Sequence, residues 1–378
     1  MKYYIIAGEP SGDLHGSNLM KSIKEVDQDA QFRFWGGDLM AAVGGTLVRH
    51  YRDTAVMGVW DVLTHLGKIR NNFKVCRQDI ESHRPDALIL IDYPGFNLPI
   101  AEWAHELGIK TLYYISPKVW ASKEYRIKSM RKCIDRLYSI MPFEPAYFDK
   151  HDLKNVFYCG NPVMDAVTCY PNVGESKEQF KQRCGLDSRP VIALLPGSRV
   201  AELKYNLPEM MRLVSDMPDY QFVIGGAPSF KASDYDKYIS VSAVKVLFGE
   251  TYNLVSAADA AVVTSGTATL ETAILNCPQI VIYKMWGGAF SDWVAHLFIK
   301  VPFISLVNLI LGHEVVSELF QKKYSYDRML SELKDLASKT TRRQSMLREY
   351  EELRHVVGGA GCSLRAAEDM YRFLLASK

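Results

Sequence analysis

Short, almost continuously apolar runs rich in β-branched and aromatic residues recur along the chain, and a helix-like stretch follows each one. They are Tyr3–Ala7, Ala87–Ile91, Thr111–Ile115, Arg136–Ile140 and Val156–Cys159, then Val191–Leu195, Tyr220–Ile224, Ala260–Thr264 and Gln279–Tyr283. A strand with no solvated alternate face is buried on both sides, which a parallel sheet covered by helices provides and a half-wet antiparallel sheet does not. The expected fold class is therefore α/β with doubly wound parallel sheets. With 378 residues, 48% of them hydrophobic, the chain can fill two such cores. The alternation lapses at Tyr170–Glu178, where Pro171, Asn172, Gly174 and Ser176 cluster, so domains are expected over 1–170 and 171–341. From 342 to 378 no strand pattern appears. There Leu347, Tyr350 and Leu353, then Leu364, Ala367, Met370, Phe373 and Leu374, recur at helical spacing on either side of Gly358-Gly359, which predicts C-terminal helices packing back on the body.

Charge and cysteine usage exclude several classes. Lys plus Arg number 45 against 43 Asp plus Glu, and a net charge of +2 gives no field that would gather nucleic acid. Seven cysteines with no CxxC pair fit a reducing, cytoplasmic compartment better than a disulfide framework. The apolar start Tyr3–Ala7 is too short for a signal-peptide core. The most apolar later region, Ala289–Leu311, is interrupted by Asp292, His296, Lys300 and Pro302, so no membrane span is expected. The nine histidines are scattered and form no HExxH, which predicts no metal site.

In open parallel sheets, ligands sit outside the carboxyl ends of the strands, and five segments there carry chemistry. Gly8-Glu9-Pro10-Ser11-Gly12-Asp13 joins the first strand to a helix over Leu14–Val26, with glycines that let a ligand approach the backbone. Pro10 breaks the GxGxxG spacing, and no GxxxxGK[ST] occurs, so neither a dinucleotide fingerprint nor a P-loop is present. Leu90-Ile91-Asp92-Tyr93-Pro94-Gly95-Phe96-Asn97 places a carboxylate at a strand end, where partial shielding by Tyr93 and Phe96 would raise Asp92 toward the range of a general base. Pro196-Gly197-Ser198-Arg199, with Glu202 three residues on, offers close backbone approach, a hydroxyl and a guanidinium oriented by an ion pair, the chemistry of phosphate binding. Thr264-Ser265-Gly266-Thr267-Ala268-Thr269-Leu270-Glu271 runs from a strand into a helix whose first N–H groups form an anion site, with hydroxyls available as caps. Asn308, Glu314 and Gln321 are polar positions in the apolar frame of Ser305–Gln321, suited to sugar hydroxyls or a nucleotide. Each segment alone also reads as an ordinary turn, cap or surface ion pair.

As an ordered set, these segments resemble the lipid-A-disaccharide synthase family. The likeness rests on Gly8-Glu9-x-Ser11-Gly12-Asp13, Ile91-Asp92-x-Pro94-x-Phe96, Tyr114-Ile115-Ser116-Pro117-x-Val119-Trp120-Ala121, Met141-Pro142-Phe143-Glu144, Leu195–Arg199 with Glu202, Thr264–Glu271, Asn308 with Glu314, and Gly358–Ser363. The resemblance implies a GT-B glycosyltransferase with two Rossmann-like domains facing across a cleft. It would transfer 2,3-diacylglucosamine with inversion from its UDP derivative to 2,3-diacylglucosamine 1-phosphate, releasing UDP. It implies Asp92 as base and Arg199 as leaving-group stabiliser. Substrate contacts are implied at Gly8, Glu9, Ser11, Gly12, Asp13, Gly197, Ser198, Glu202, Ser265, Gly266, Thr267, Ala268, Glu271, Asn308 and Glu314. Preorganised dipoles would replace a divalent cation, so no cofactor or metal is expected. The chain departs from the family pattern at Asn161, where histidine is usual, at Val307 and Ser317, which replace prolines, and at His313, which replaces arginine.

Acylated substrates call for an apolar surface at the inner membrane of a Gram-negative-type cell. The stripe Val59, Trp60, Val62, Leu63 and Leu66, followed by Lys68, Arg70 and Lys74, suits peripheral contact with anionic lipid headgroups, and it equally suits core packing. The expected partners are the two acylated sugars and inner-membrane lipids, with a homo-oligomer allowed. Competing readings are another UDP-sugar enzyme of this fold, such as a UDP-N-acetylglucosamine 2-epimerase or a soluble-acceptor glycosyltransferase, and a non-catalytic nucleotide-sugar-binding protein.

Overall fold

The computed structural model describes residues 1–54, 66–239, 244–284, 302–320 and 324–377. The chain divides into two compact units, one formed by Met1–Pro162 with Gly359–Lys378 and the other by Val163–Gly358. The chain thus leaves the first unit before the Tyr170–Glu178 stretch. The expected C-terminal piece is shared out, with the helix Thr341–Val357 in the second unit and the helix Cys362–Ala376 in the first.

The first unit is built on a seven-stranded sheet. Its strands are β1 (Lys2–Ala7), β2 (Gln31–Gly36), β3 (Thr46–His50), β4 (Ala87–Ile91), β5 (Lys110–Tyr114), β6 (Arg136–Ser139) and β7 (Val156–Tyr158), in the order β3-β2-β1-β4-β5-β6-β7. Every pairing is parallel. The continuous apolarity of β1 is explained by its two faces. Tyr3, Ile5 and Ala7 enter one core with Leu19, Met20 and Ile23 of the helix Pro10–Val26 and with Ala366, Ala367 and Met370 of Cys362–Ala376. Tyr4 and Ile6 enter the opposite core with Cys76 and Ile80 of the helix Leu66–His83 and Ile100 and Ala101 of Pro94–Glu106. Each face buries its own row of side chains, as the period-2 geometry of a strand requires. The C-terminal helix is also tied to the sheet by a two-pronged ion pair, Arg136 to Asp369 at 2.9 and 2.7 Å, with Tyr138 donating to the same carboxylate at 3.0 Å.

The second unit repeats the plan with β8 (Val191–Leu195), β9 (Gln221–Gly226), β10 (Lys245–Phe248), β11 (Ala260–Thr264), β12 (Gln279–Tyr283) and β13 (Ser317–Phe320), all parallel, in the order β10-β9-β8-β11-β12-β13. Both sheets reverse winding direction between their first and fourth strands in sequence, at β1/β4 and β8/β11. Those are the positions where loops splay apart and admit a ligand. Four of these strands, β2, β3, β10 and β13, carry no continuous apolar run and escape the sequence reading. The first helix begins at Pro10 with Glu9 as N-cap, so Ser11 lies within its opening turn rather than ahead of it. Proline at a first helical position loses no hydrogen bond and presets the helical φ.

Candidate active site

At the β1/β4 reversal the Gly8 loop and the Asp92 loop meet. A Cβ on Gly8 would lie 2.4 Å from Cδ1 of Tyr93, so only glycine lets the two loops close up. The backbone here is held in an uncommon conformation. Asp92 and Tyr93 have φ of 41° and 49°, and Ile115, at the end of the neighbouring β5, has φ of 64°. Left-handed φ at three non-glycine residues, one of them β-branched, is strain of the kind that surrounding bonds must enforce. Those bonds are present. The fully buried amide of Asn97 donates from Nδ2 to the carbonyls of Asp92 at 2.7 Å and Ile91 at 3.2 Å, and the Tyr113 hydroxyl donates to the Asp92 carbonyl at 2.5 Å. The Asp92 N–H donates to Tyr114 O at 3.2 Å.

The Asp92 carboxyl opens to solvent on one side. Burial of its remaining surface nevertheless pushes its pKa above the ordinary carboxylate range, and the negative charge of Glu9 adds to the rise. Lys118, the Tyr93 N–H and Arg126 pull in the opposite direction without reversing it. A carboxylate so placed is a stronger proton acceptor than an ordinary aspartate.

The other polar residues of the first loop have separate duties. Glu9 and Ser11 are exposed. Gly12 is buried, its missing side chain allowing the helix to pack on Ala7. Asp13 is not available to a substrate, which corrects its expected role. Its carboxylate is buried and accepts N–H bonds from Gly37 at 2.8 Å, Leu39 at 3.0 Å and Met40 at 3.0 Å, capping the helix Asp38–Val43. Two further motifs, Ser116–Ala121 and Met141–Glu144, form one unit. Buried Glu144 accepts from Trp120 Nε1 at 3.0 Å and from the N–H groups of Ile140 and Met141 at 3.2 Å each.

At the β8/β11 reversal, Leu195 pairs with Val263, so the loops bearing Gly197–Arg199 and Ser265–Thr267 leave adjacent strands at the same end. Glu202 does more than the ion pair expected of it. It meets Arg199 Nη1 at 3.1 Å and also accepts the N–H groups of Ser198 at 3.0 Å and Arg199 at 3.2 Å. Gly197, at φ 104°, has no room for a Cβ beside the Glu202 carboxylate. Because those two backbone donors face Glu202, Ser198 and Arg199 offer an anion their side chains rather than their amides. Glu202 is correspondingly a buried support, not a substrate contact, while the Arg199 side chain is 77% exposed.

The N–H groups at the start of the helix Thr267–Ile274 are differently disposed. Gly266 is the N-cap and no side chain caps it. Ser265, expected to cap, donates instead to Ile304 O at 3.0 Å, and Thr269 donates to Gly266 O at 2.8 Å. The helix start is thus left without a competing side-chain acceptor. Glu271 accepts from the Tyr252 hydroxyl at 2.8 Å, and burial holds its carboxyl above the usual range.

Asn308 is a correction as well. Fully buried, it spends Oδ1 on the N–H groups of Val315 at 2.8 Å and Val316 at 3.0 Å, and Nδ2 on Val316 O and Glu318 Oε1 at 2.9 Å each. All four of its hydrogen-bonding positions are filled, so it fixes the loop before β13 rather than a sugar. Glu314 is exposed on that loop, and His313 contacts Glu349 at 3.0 Å. Val59, Trp60, Val62 and Leu63, the side chain of Leu66, residues 289–301 and Gln321 lie outside the described residues. Among the described residues, no three His, Cys, Asp or Glu side chains converge as a metal site, and no helix is long and apolar enough to cross a membrane.

Asn97, Tyr113, Tyr252, Thr269 and Glu318 were not singled out for roles by sequence reasoning. Asn97 alone carried a signal, as a polar residue in the apolar first turns of the helix that begins at Pro94, directly after Asp92-Tyr93.

The fold is shared with solved proteins that handle sugars or nucleotide sugars. The glycosyltransferase of kitacinnamycin aligns with a TM-score of 0.66 at 14% identity over 99% of both chains. A UDP-GlcNAc 2-epimerase from Neisseria meningitidis, bound to UDP-GlcNAc, aligns with a TM-score of 0.63 at 11% identity over all of both chains. With its two parallel sheets, this places the chain in the GT-B class of α/β folds. A family profile described as lipid-A-disaccharide synthetase matches residues 3–366. The lipid-A-disaccharide synthase of Myxococcus xanthus is 33% identical over 98% of this chain and 97% of its own length. That of Nitrosococcus oceani is 35% identical over 96% of this chain and 94% of its own. The chain belongs to the lipid-A-disaccharide synthase family of glycosyltransferases.

Proposed function

We propose that this chain moves 2,3-diacylglucosamine from its UDP derivative to the 6-hydroxyl of 2,3-diacylglucosamine 1-phosphate, giving the β-1,6-linked disaccharide 1-phosphate and UDP. The observation that carries this reading is Asp92, a carboxylate of raised pKa held on an enforced left-handed turn at the first unit's winding reversal. In this reading Asp92 takes the proton of the 6-hydroxyl as its oxygen attacks the anomeric carbon. The bond from that carbon to the UDP oxygen breaks, its electron pair stays with UDP, and the configuration inverts. Charge growing on the diphosphate is met by Arg199, by the Ser198 hydroxyl and by the uncapped N–H groups that open the helix Thr267–Ile274. Glu202 keeps the Arg199 guanidinium and the Gly197–Arg199 turn in place. These donors are proposed to suffice without a divalent cation. Binding at an inner-membrane surface, through the apolar stripe around Trp60 and the basic residues Lys68, Arg70 and Lys74, would bring both acylated substrates to the protein.

The test is mass spectrometry of the product formed from a defined diacylated donor and acceptor in detergent. A disaccharide monophosphate carrying four acyl chains is expected. Turnover of UDP-N-acetylglucosamine in preference to the acylated donor would reject the reading.

A further inference from the structure

Among the described residues, two cations whose fields reach the Asp92 carboxyl form no ion pair. Lys118 and Arg126 both lie beyond the carboxyl end of β5, the strand next to the one that delivers Asp92, with Ile91 and Tyr114 in register. Lys118 is the one exposed residue in the stretch Ser116–Val119, whose other members are buried. The loop around it is fixed by the Glu144–Trp120 bond at 3.0 Å and by the Ala121 N–H on Lys118 O at 3.1 Å. Arg126 opens the helix Arg126–Cys133, which packs on the helix Pro94–Glu106. Ile127 shares a core with Phe96, and Ser129 Oγ donates to Glu102 at 2.6 Å. The acids nearby in sequence are occupied elsewhere. Glu124 meets His151 at 3.8 Å and Asp152 meets Arg131 at 4.0 Å. Neither Lys118 nor Arg126 forms an ion pair among the described residues, although the fields of both reach the Asp92 carboxyl. Left-handed Ile115 sets the path of this loop, and backbone strain of that kind concentrates where a ligand is gripped.

We propose that Lys118 and Arg126 form the seat for a phosphomonoester on the acceptor sugar, so that acceptor selection is made by charge beside the base. The inference rests on the proposed acyl-sugar acceptor and adds which residues read its phosphate. A guanidinium at a helix start and an ammonium on a fixed loop suit a dianionic phosphate, and binding it there orients the sugar's far hydroxyl toward Asp92.

The experiment compares two acceptors, 2,3-diacylglucosamine 1-phosphate and the same diacyl sugar with a free anomeric hydroxyl, on wild type, Lys118→Ala, Arg126→Ala and the double variant. Loss of one charge-assisted contact lowers the preference for the phosphorylated acceptor about 10-fold, and loss of both about 100-fold. The change is expected in acceptor KM, with donor KM unmoved. Both side chains reach solvent, so thermal melting and UDP binding should match wild type. An unaltered preference in the double variant overturns the proposal, as does a shift in the pH–rate profile with no change in preference. Partition of the phosphorylated acceptor onto the protein in micelles, with no donor present, reads the seat apart from turnover and is expected to weaken by the same factor. A wild type that binds this acceptor through Lys118 and Arg126 yet forms no disaccharide would reject the proposed reaction and leave the seat standing. Partition that the double variant does not weaken would reject the seat.

Discussion

Replacing Asn97 by alanine tests whether the turn that presents Asp92 is enforced from behind. The Asn97 amide supplies two hydrogen bonds, to the carbonyls of Ile91 and Asp92, from a fully buried position. Each is worth ~0.5–1.5 kcal/mol net, so the variant loses roughly 1–3 kcal/mol of restraint and leaves the Ile91 carbonyl without its amide donor. The turn stores strain at both Asp92 and Tyr93, of order 1–3 kcal/mol per residue. With restraint and strain of similar size, the loss is enough to let the turn relax toward an unstrained path. The variant is therefore expected to unfold ~2 kcal/mol more easily in urea. Its kcat per UDP-binding molecule should fall by about 10²-fold, the scale of a misplacement near 1 Å at a reacting group. Tyr113→Phe removes the second bond to the Asp92 carbonyl. Its smaller loss should combine non-additively with that of Asn97→Ala, because both act on one atom. An Asn97→Ala enzyme with the expected loss of stability but wild-type kcat would refute the idea that strain at Asp92 serves the reaction.

Three further outcomes follow from the same geometry. Glu9→Gln removes the like charge that helps raise Asp92, so the acid limb of the kcat/KM–pH profile should move to lower pH; an unmoved limb would separate Glu9 from the base. Arg199→Ala should weaken UDP binding about 10- to 100-fold by titration calorimetry, while EDTA leaves wild-type turnover unchanged; chelator-sensitive turnover would contradict the proposed leaving-group chemistry. Asp13→Ala strips the acceptor from three backbone N–H groups and should cost ~3 kcal/mol in urea unfolding, with UDP affinity retained in the folded protein; loss of affinity without loss of stability would return Asp13 to the ligand.

The central strands were legible because each buries both faces and so carries no polar alternation. The strands that escaped lack that feature for physical reasons. β3 and β10 are edge strands with exposed or half-exposed residues throughout, β13 alternates at the edge opposite β10, and β2 carries exposed Gln31 and half-buried Arg33, whose guanidinium pairs with Asp79. The candidate site was legible to the extent that strand ends could be found. Asp92, Arg199 and the helix start at Thr267 all lie at the ends of strands flanking the two winding reversals. What composition and spacing could not convey is the direction in which a polar side chain spends its hydrogen bonds. Asp13, in the first turn of the helix Pro10–Val26, and Asn308, in the short helix Leu306–Leu311, belong to segments as promising as that of Asp92, yet both turn inward and satisfy backbone groups. Glu202 was placed correctly beside Arg199, but its capture of two backbone N–H groups depends on the φ of Gly197, which no spacing rule encodes. Asn97 and Tyr113 act through the Asp92 carbonyl, a partner visible only once the left-handed turn is known.

In the proposed reaction Asp92 acts as the base while UDP is held by other groups. The most direct measurement is UDP affinity and disaccharide formation on one preparation of Asp92→Ala. UDP affinity within about twofold of wild type with turnover lowered at least ~10²-fold is the predicted result. Affinity and turnover falling together, or turnover surviving, would contradict it.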